Sequence, residues 1–310
     1  MKQIYSFALA ALCLCFVTGC RKDDFNQPTP STQEVVENNP AESARCSKVP
    51  ADVANDWMQA YRKIVNSEGK NPPQASRIYA YAAVALYEAV VPGTRYRSLE
   101  GQVAGLTNLP NSCHLGNLDY KLAANEALYQ VAKTIFVTLK VGNSSYIDSL
   151  HNVYVNNPGT SLSNTVITNS ISFGNQVAVA VLNRASNDNF TSTRSLTYIV
   201  PSQSVNLAYW VPTGPVTNPM EPYWGTLKPF AMANGSACTI KSTVPFSTVP
   251  GSPFYNQALE IANTETDLTQ TQKDIALWWA DGTSATPTPP GHWAIVWTHL
   301  LSHSEGVPCL

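Results

Sequence analysis

Residues 72–93 read PPQASRIYAYAAVALYEAVVPG, and this stretch constrains the fold more than any other part of the chain. A proline pair opens it and Pro-Gly closes it. Between them the apolar residues recur at the three- and four-residue spacing of a helix. Ala80, Ala82, Ala83, Ala85 and Ala89 crowd it with small helix-forming side chains, so neighbouring helices can approach closely. Such a helix needs partners, and the flanking sequence supplies them. ADVANDWMQAYRKIVNSE, LDYKLAANEALYQVAKTIFVTLK, NSSYIDSLHNVYVNN and SLSNTVITNSISFGNQVAVAVLNRAS all carry helical patterning. Later, SPFYNQALEIANTE, DLTQTQKDIALWWADG and PGHWAIVWTHLLSHS resume it, with Asp267 and Thr269 both placed to cap the second of these.

Residues 188–250 interrupt the pattern. The segment YWVPTGPVTNPMEPYWGTLKPF alternates prolines, glycines and aromatics, and loops of this length in compact domains are usually functional or disordered. Tyr209, Trp210, Tyr223, Trp224 and Phe230 predict packing rather than disorder. No 34-residue or similar repeat is visible, which argues against a solenoid. The expected class is therefore all-α: a helical bundle with a long aromatic- and proline-rich loop excursion. The chain has 310 residues, 44% of them hydrophobic, enough for a substantial core. Its formal charge is −2 and its charged residues form no basic stripe, so a nucleic-acid partner is not expected.

The first twenty residues bear on compartment. Lys2 precedes an apolar run from Ile4 to Val17, and VTGC ends it at Cys20. The run is too short to span a bilayer and reads as a signal peptide. Small residues ahead of the cysteine resemble a bacterial lipobox, with Cys20 lipidated as the first mature residue; cleavage elsewhere is the alternative. CRKDDF resembles the lysine-plus-two-acids signal of surface-exposed Bacteroidetes lipoproteins. The expected organisation is a signal peptide over 1–19, the lipidated cysteine and a flexible polar tether over 20–49, and a helical domain over 50–310. An exported lipoprotein is expected, held to the outer membrane by its lipid and surface-exposed. Cys13 and Cys15 leave with the signal. Cys46, Cys113, Cys238 and Cys309 then allow one or two disulfides, with three complete connectivities. No CxxC pair or Cys/His knuckle suggests a structural zinc site.

Three stretches together resemble one family. NPPQASRIYAYAAVALYEAV, then YRSLEGQVAGL, then KDIALWWADGTSATPTPPGHW occur in the same order in the bacterial vanadium-dependent haloperoxidase-like proteins, relatives of the type 2 phosphatidic acid phosphatases. The likeness spans roughly residues 55–298, and its most specific piece is Trp-Ala-Asp, a gap, then Thr-Pro-Pro-Gly-His-Trp. The resemblance implies a helical bundle holding vanadate, or phosphate in the phosphatases, by a lysine, two arginines, a Ser-Gly-His and a second histidine. Spread negative charge on a tetrahedral oxyanion explains that set, since cations and backbone N–H groups neutralise it. In the family these motifs lie beyond Pro-Pro-Gly-His-Trp. This sequence has no Ser-Gly-His, no Arg-Pro and no arginine after Arg194. The resemblance therefore implies an N-terminal part only, with LSHSEGVPCL departing from the family's continuing helix; a frameshift or premature stop explains that departure, with natural divergence as the alternative. Vanadate is the cofactor of intact relatives, and this chain is expected to bind none.

The remaining candidates are modest. Asp281 and His292 belong to the family-like junction and are expected either near the pocket of an intact relative or in capping and loop hydrogen bonds. Arg77 and Glu88 share a helical face and predict a buried polar pair tying helices together, or else a substrate contact. His299 and His303 stand four apart near Glu305 and Cys309, but an i,i+4 pair lacks a third ligand, and exposed histidines are the simpler expectation. Trp278 and Trp279 are expected in a core or an interface. His114 and His151 have no evident local partner, and no Gly-x-Ser-x-Gly elbow is present. The expected function is thus the helical part of a haloperoxidase- or phosphatase-like enzyme, inactive by itself. The alternative is a surface glycan-binding or partner-binding lipoprotein.

Overall fold

The computed structural model describes residues 51–303 apart from Arg95, Cys113, His114 and Thr160, with side chains described as far as Leu300. The expected signal peptide, Cys20 and the tether lie outside the described residues, as do Cys46, Cys113, Cys309 and the His303 side chain. Among the described residues Cys238 is an exposed free thiol. All the regular structure described is helical, with isolated bridges at Glu100 to Val103 and at Thr283 to Thr286.

The first helix, α1 (Asp52–Ser67), turns Val53, Trp57, Tyr61 and Ile64 inward at the spacing of one helical face. α2 (Pro72–Val90) starts where the sequence indicates: the Asn71 side chain accepts from the Gln74 backbone N–H, and Pro72 and Pro73 fill positions where no N–H is needed. α3 (Tyr120–Ile135) is capped by Asp119 and runs through the middle of the bundle, for its residues from Leu122 to Leu128 are all buried. A helix buried on every side must satisfy its polar groups internally. Asn125 does so by accepting from the Trp57 indole at 2.9 Å and donating to the His151 carbonyl at 3.2 Å.

α4 (Val141–Val155) packs on α3, and α5 (Asn164–Ser186) packs on both α3 and α2. Gly174 sets the α3–α5 spacing, because a Cβ there would lie 2.2 Å from the Ala123 carbonyl oxygen. The stretch Asn164–Thr193 is long and apolar enough to cross a membrane by length and composition. Its Phe173, Val177 and Val181 are nevertheless buried in the bundle core, which makes α5 a core helix here.

The excursion after α5 begins with the one-turn helix α6 (Phe190–Thr193) and proceeds mainly without regular structure. Its aromatics divide. Phe230 packs against Tyr81 with ring centroids 5.1 Å apart and Tyr223 against Tyr198 at 6.0 Å, whereas Tyr209 and Trp210 are exposed, so the expectation of packing holds for part of the segment. Beyond it come α7 (Pro253–Thr266), α8 (Gln270–Ala280) and α9 (Thr288–His303). Thr269 is the cap of α8, in a reciprocal capping box with Gln272, while Asp267 ends α7. α9 packs against α1 and α2, but α7 and α8 bury no residue.

Candidate functional site

The Trp-Ala-Asp and Pro-Pro-Gly-His-Trp residues form the junction of α8 and α9. Asp281 ends α8 in the left-handed region at φ 41° and ψ 46°. Ser284 (φ 63°) and Thr288 (φ 67°) share that sign, so three non-glycine residues within eight positions hold a conformation that L-residues disfavour. Thr288 is fully buried and its hydroxyl has no hydrogen-bond partner. The surroundings hold the loop in place: Arg62 Nε donates to the Gly291 carbonyl at 2.9 Å, and Asn66, with its amide nitrogen facing the loop, donates to the carbonyls of Ser284 and Thr286. Glycine is required at 291, where a Cβ would sit 2.6 Å from the Tyr79 hydroxyl on α2. Burial raises the Tyr79 phenol above its ordinary range, with Arg62 opposing.

Asp281 and His292, separated by ten residues in sequence, meet here. His292 Nδ1 lies 3.3 Å from Asp281 Oδ2, and the Trp278 ring approaches the imidazole edge-on at 6.3 Å. Asp281 is almost buried and the His292 side chain is 41% exposed, so a carboxylate orients an imidazole that solvent can reach. That pairing can fix the orientation and tautomer of the ring. It is a poor cradle for an oxyanion, since the one guanidinium identified at the junction, Arg62, is engaged with a backbone carbonyl and the anionic Asp281 repels a second anion. Among the described residues, those of this junction do not by themselves fit vanadate.

A second polar constellation lies where α2, α5 and the excursion meet. Arg77 Nε pairs with Asp188 Oδ2 at 2.7 Å, and the Tyr81 hydroxyl donates to the same oxygen at 2.9 Å. Arg184 bonds the Tyr81 hydroxyl and donates to the carbonyls of Ala104, Lys228 and Pro229. Burial and the Asp188 charge raise the Tyr81 phenol. Both guanidiniums are thus consumed inside the fold. Glu88, expected to pair with Arg77, instead accepts from the Leu99 backbone N–H at 2.6 Å and from the Ser98 hydroxyl at 2.8 Å. The reason is distance: eleven residues of α-helix rise about 16 Å, beyond the reach of a side-chain pair. Burial leaves the Glu88 carboxyl above its usual range despite those two donors.

His151 has a partner that sequence reading missed. Its Nε2 lies 2.7 Å from Glu126 Oε2, and its ring stacks on Tyr129 at 4.0 Å. Burial pushes the Glu126 carboxyl up, but hydrogen bonds from His151 and Gln130 outweigh that and hold it below its usual range. Twenty-five residues separate Glu126 from His151, so only the α3–α4 pairing reveals the contact. Trp278 and Trp279 are 69% and 73% exposed, which removes the core reading for both. Among residues whose side chains are described, no group of three histidine, cysteine or acidic residues is arranged to hold a metal ion, and His303 lies outside that set.

No family model matches this chain, and no curated protein matches it. Its fold does match a solved structure, the crystal structure of a bacterial vanadium-dependent iodoperoxidase, with a TM-score of 0.68 and 25% sequence identity. The match covers 78% of this chain and 59% of that one, so the chain spans less than two thirds of the neighbour's length. The described helices therefore form an all-α, haloperoxidase-like fold, and the resemblance read from the sequence is to the vanadium-dependent haloperoxidases.

Proposed function

We propose that this chain is the helical scaffold part of a vanadium-haloperoxidase-like or phosphatase-like protein, and that by itself it turns over neither halide nor phosphate ester. The observation that carries this reading is the disposition of its cations within a matching fold. Arg77 and Arg184 are buried against Asp188, Tyr81 and backbone carbonyls, and Arg194 is engaged by Glu221. Oxyanion chemistry needs such groups free and convergent. The sequence holds no Ser-Gly-His to add to them. In an intact relative the chemistry is halide oxidation by peroxide on vanadate, or phosphate monoester hydrolysis. The test is to titrate vanadate into the purified chain and follow its vanadium NMR signal, then assay bromide and iodide with peroxide, and an aryl phosphate. No bound signal and no turnover above blank are expected; a bound vanadium signal, or turnover of any of these substrates, overturns the reading.

The same proposal places the chain outside the cell as a lipoprotein anchored through Cys20 to the outer membrane, supported by the VTGC and CRKDDF patterns. A second reading, surface glycan binding, is favoured by one feature. An open groove of about 540 Å³ beside α6 is lined by Tyr198, Tyr223, Arg194 and Asn218, a mixture of ring faces and polar groups suited to sugars. A glycan array without hits removes that reading.

A further inference from the structure

The excursion between α5 and α7 carries two adjoining hollows, and the walls of the first are fixed by contacts with the bundle. That first hollow is the groove beside α6. Glu221 lines it, and its side chain, 4% exposed, accepts from Asn71 and Gln74 at the start of α2 and from the Arg194 guanidinium. The Glu221 backbone sits in the left-handed region at φ 47°, a conformation that persists only where the surroundings impose it. The aromatic wall is held as well: the Tyr223 hydroxyl donates to the Thr197 carbonyl at 2.8 Å, and Tyr198 meets the Tyr223 ring edge-on. A second hollow, of about 420 Å³, adjoins the groove, for Asn218 and Pro219 line both. Trp210 and Met220 supply much of its apolar surface, and Trp210 is 48% exposed.

The chemistry of the lining selects an occupant. Arg194 and Glu221 are the charged residues of the groove and neutralise each other through paired contacts, while the second hollow is lined by no ionisable side chain. A charged ligand would lose water there and gain no counter-ion. Among the described residues the excursion has no strand edge with which a peptide backbone could pair. Ring faces beside an amide and hydroxyls remain, and a sugar matches them. Its C–H face packs on an aromatic ring, while its hydroxyls both donate and accept, as the Asn218 amide does. We infer that the two hollows form one cleft for a chain of neutral sugars, with units seated on Tyr198 and on Trp210 and the Asn218 amide bonding between them. The inference rests on the glycan-binding reading above and deepens it, by naming the ligand as a neutral oligosaccharide and Trp210 as its second platform. It does not depend on oxyanion chemistry.

The test applies the purified chain to an array of neutral, uronic acid and sulfated oligosaccharides, with proline-rich peptides spotted beside them. Capture by neutral oligosaccharides is expected. Calorimetric titration then compares a hexasaccharide of the captured type with its monosaccharide, and the longer ligand should bind about tenfold more tightly because it reaches the second ring. Trp210→Ala should remove that advantage while leaving the weaker monosaccharide binding as in the parent. Trp210 is exposed, so the variant should melt within about 1 °C of the parent, which separates lost binding from lost folding. Equal affinity for the two ligands overturns the inference and leaves the single-groove glycan reading standing, as does a Trp210→Ala variant that binds the hexasaccharide as the parent does. Capture by acidic sugars alone overturns the neutral assignment, and capture by the peptides alone overturns the inference in favour of a protein partner. An array without hits removes both the inference and the glycan reading on which it rests.

Discussion

Gly174→Ala isolates the contact on which the bundle turns. In a free helix the substitution would help, since alanine is favoured over glycine by about 1 kcal/mol. Here the new methyl would meet the Ala123 carbonyl oxygen at 2.2 Å and the Glu126 Cβ at 2.9 Å. Neither neighbour can swing away, because one is backbone and the other is fixed to it. Restoring an ordinary contact requires α3 and α5 to part by about 1 Å, a gap that forfeits a quarter to a half of the dispersion attraction between atoms facing across it. Overpacking of this kind costs about 1–3 kcal/mol, and the parted seam, the most extensive in the bundle, puts this case at the upper end. After the propensity gain, a net loss of about 2 kcal/mol is expected. For a domain of this size that lowers the melting temperature by about 4–8 °C. Urea unfolding followed by far-ultraviolet circular dichroism measures it directly, with Gly142→Ala as the control. Gly142 lies in α4 and a Cβ there meets nothing within 4 Å, so the control should be neutral or slightly stabilising. If Gly174→Ala proves as stable as the parent, the close approach of α3 and α5 does not exist in solution.

Other expectations concern charge and anchoring. Asp188→Ala strands Arg77 and Arg184 in the interior and should cost about 3–5 kcal/mol by denaturant titration, while Asp188→Asn should cost less. The Arg194 guanidinium holds the Glu221 carboxyl below its usual range against the effect of burial, helped by Asn71 and Gln74. Because the folded pKa is the lower one, its contribution is fully present above the unfolded value near pH ~4.3 and is lost as pH falls through the folded value. Glu221→Gln should therefore lower the melting temperature at pH 7 and flatten its decline below that range. Labelling of cells with tritiated palmitate should mark the wild-type protein and not Cys20→Ala; equal labelling of both refutes the lipid anchor.

Much of the bundle was legible because its signals are local. Asn71 followed by two prolines marks the start of α2, Asp119 and Ser163 mark α3 and α5, and each side chain accepts from the third residue on. The choice between Asp267 and Thr269 was not legible, since it turns on the reciprocal bond from Gln272. Contacts made across elements were out of reach for the same reason. Arg77 looked toward Glu88 along its own helix, while its partner, Asp188, comes from the end of another. The Asp281–His292 pairing was only half legible: the motif marked both residues, but a left-handed turn at Asp281 brings them together. Periodicity also predicts an apolar face without saying what covers it, and α8 shows how far the two can diverge.

Arg184 also bears on how freely the excursion can vary. It binds the carbonyls of Lys228 and Pro229, and the Lys228 N–H donates to the Asp188 carbonyl at 3.0 Å, so the segment leaves and re-enters the bundle at nearly one point. A loop whose ends are pinned together carries little tension into its support, and doubling its length adds only about 0.6 kcal/mol of closure entropy. The exposed stretch over 199–220 is therefore a cassette: lengthened, shortened or exchanged, it leaves the spacing of α2 and α5 undisturbed so long as Arg184 keeps its carbonyls and Glu221 its bonds to Asn71 and Gln74.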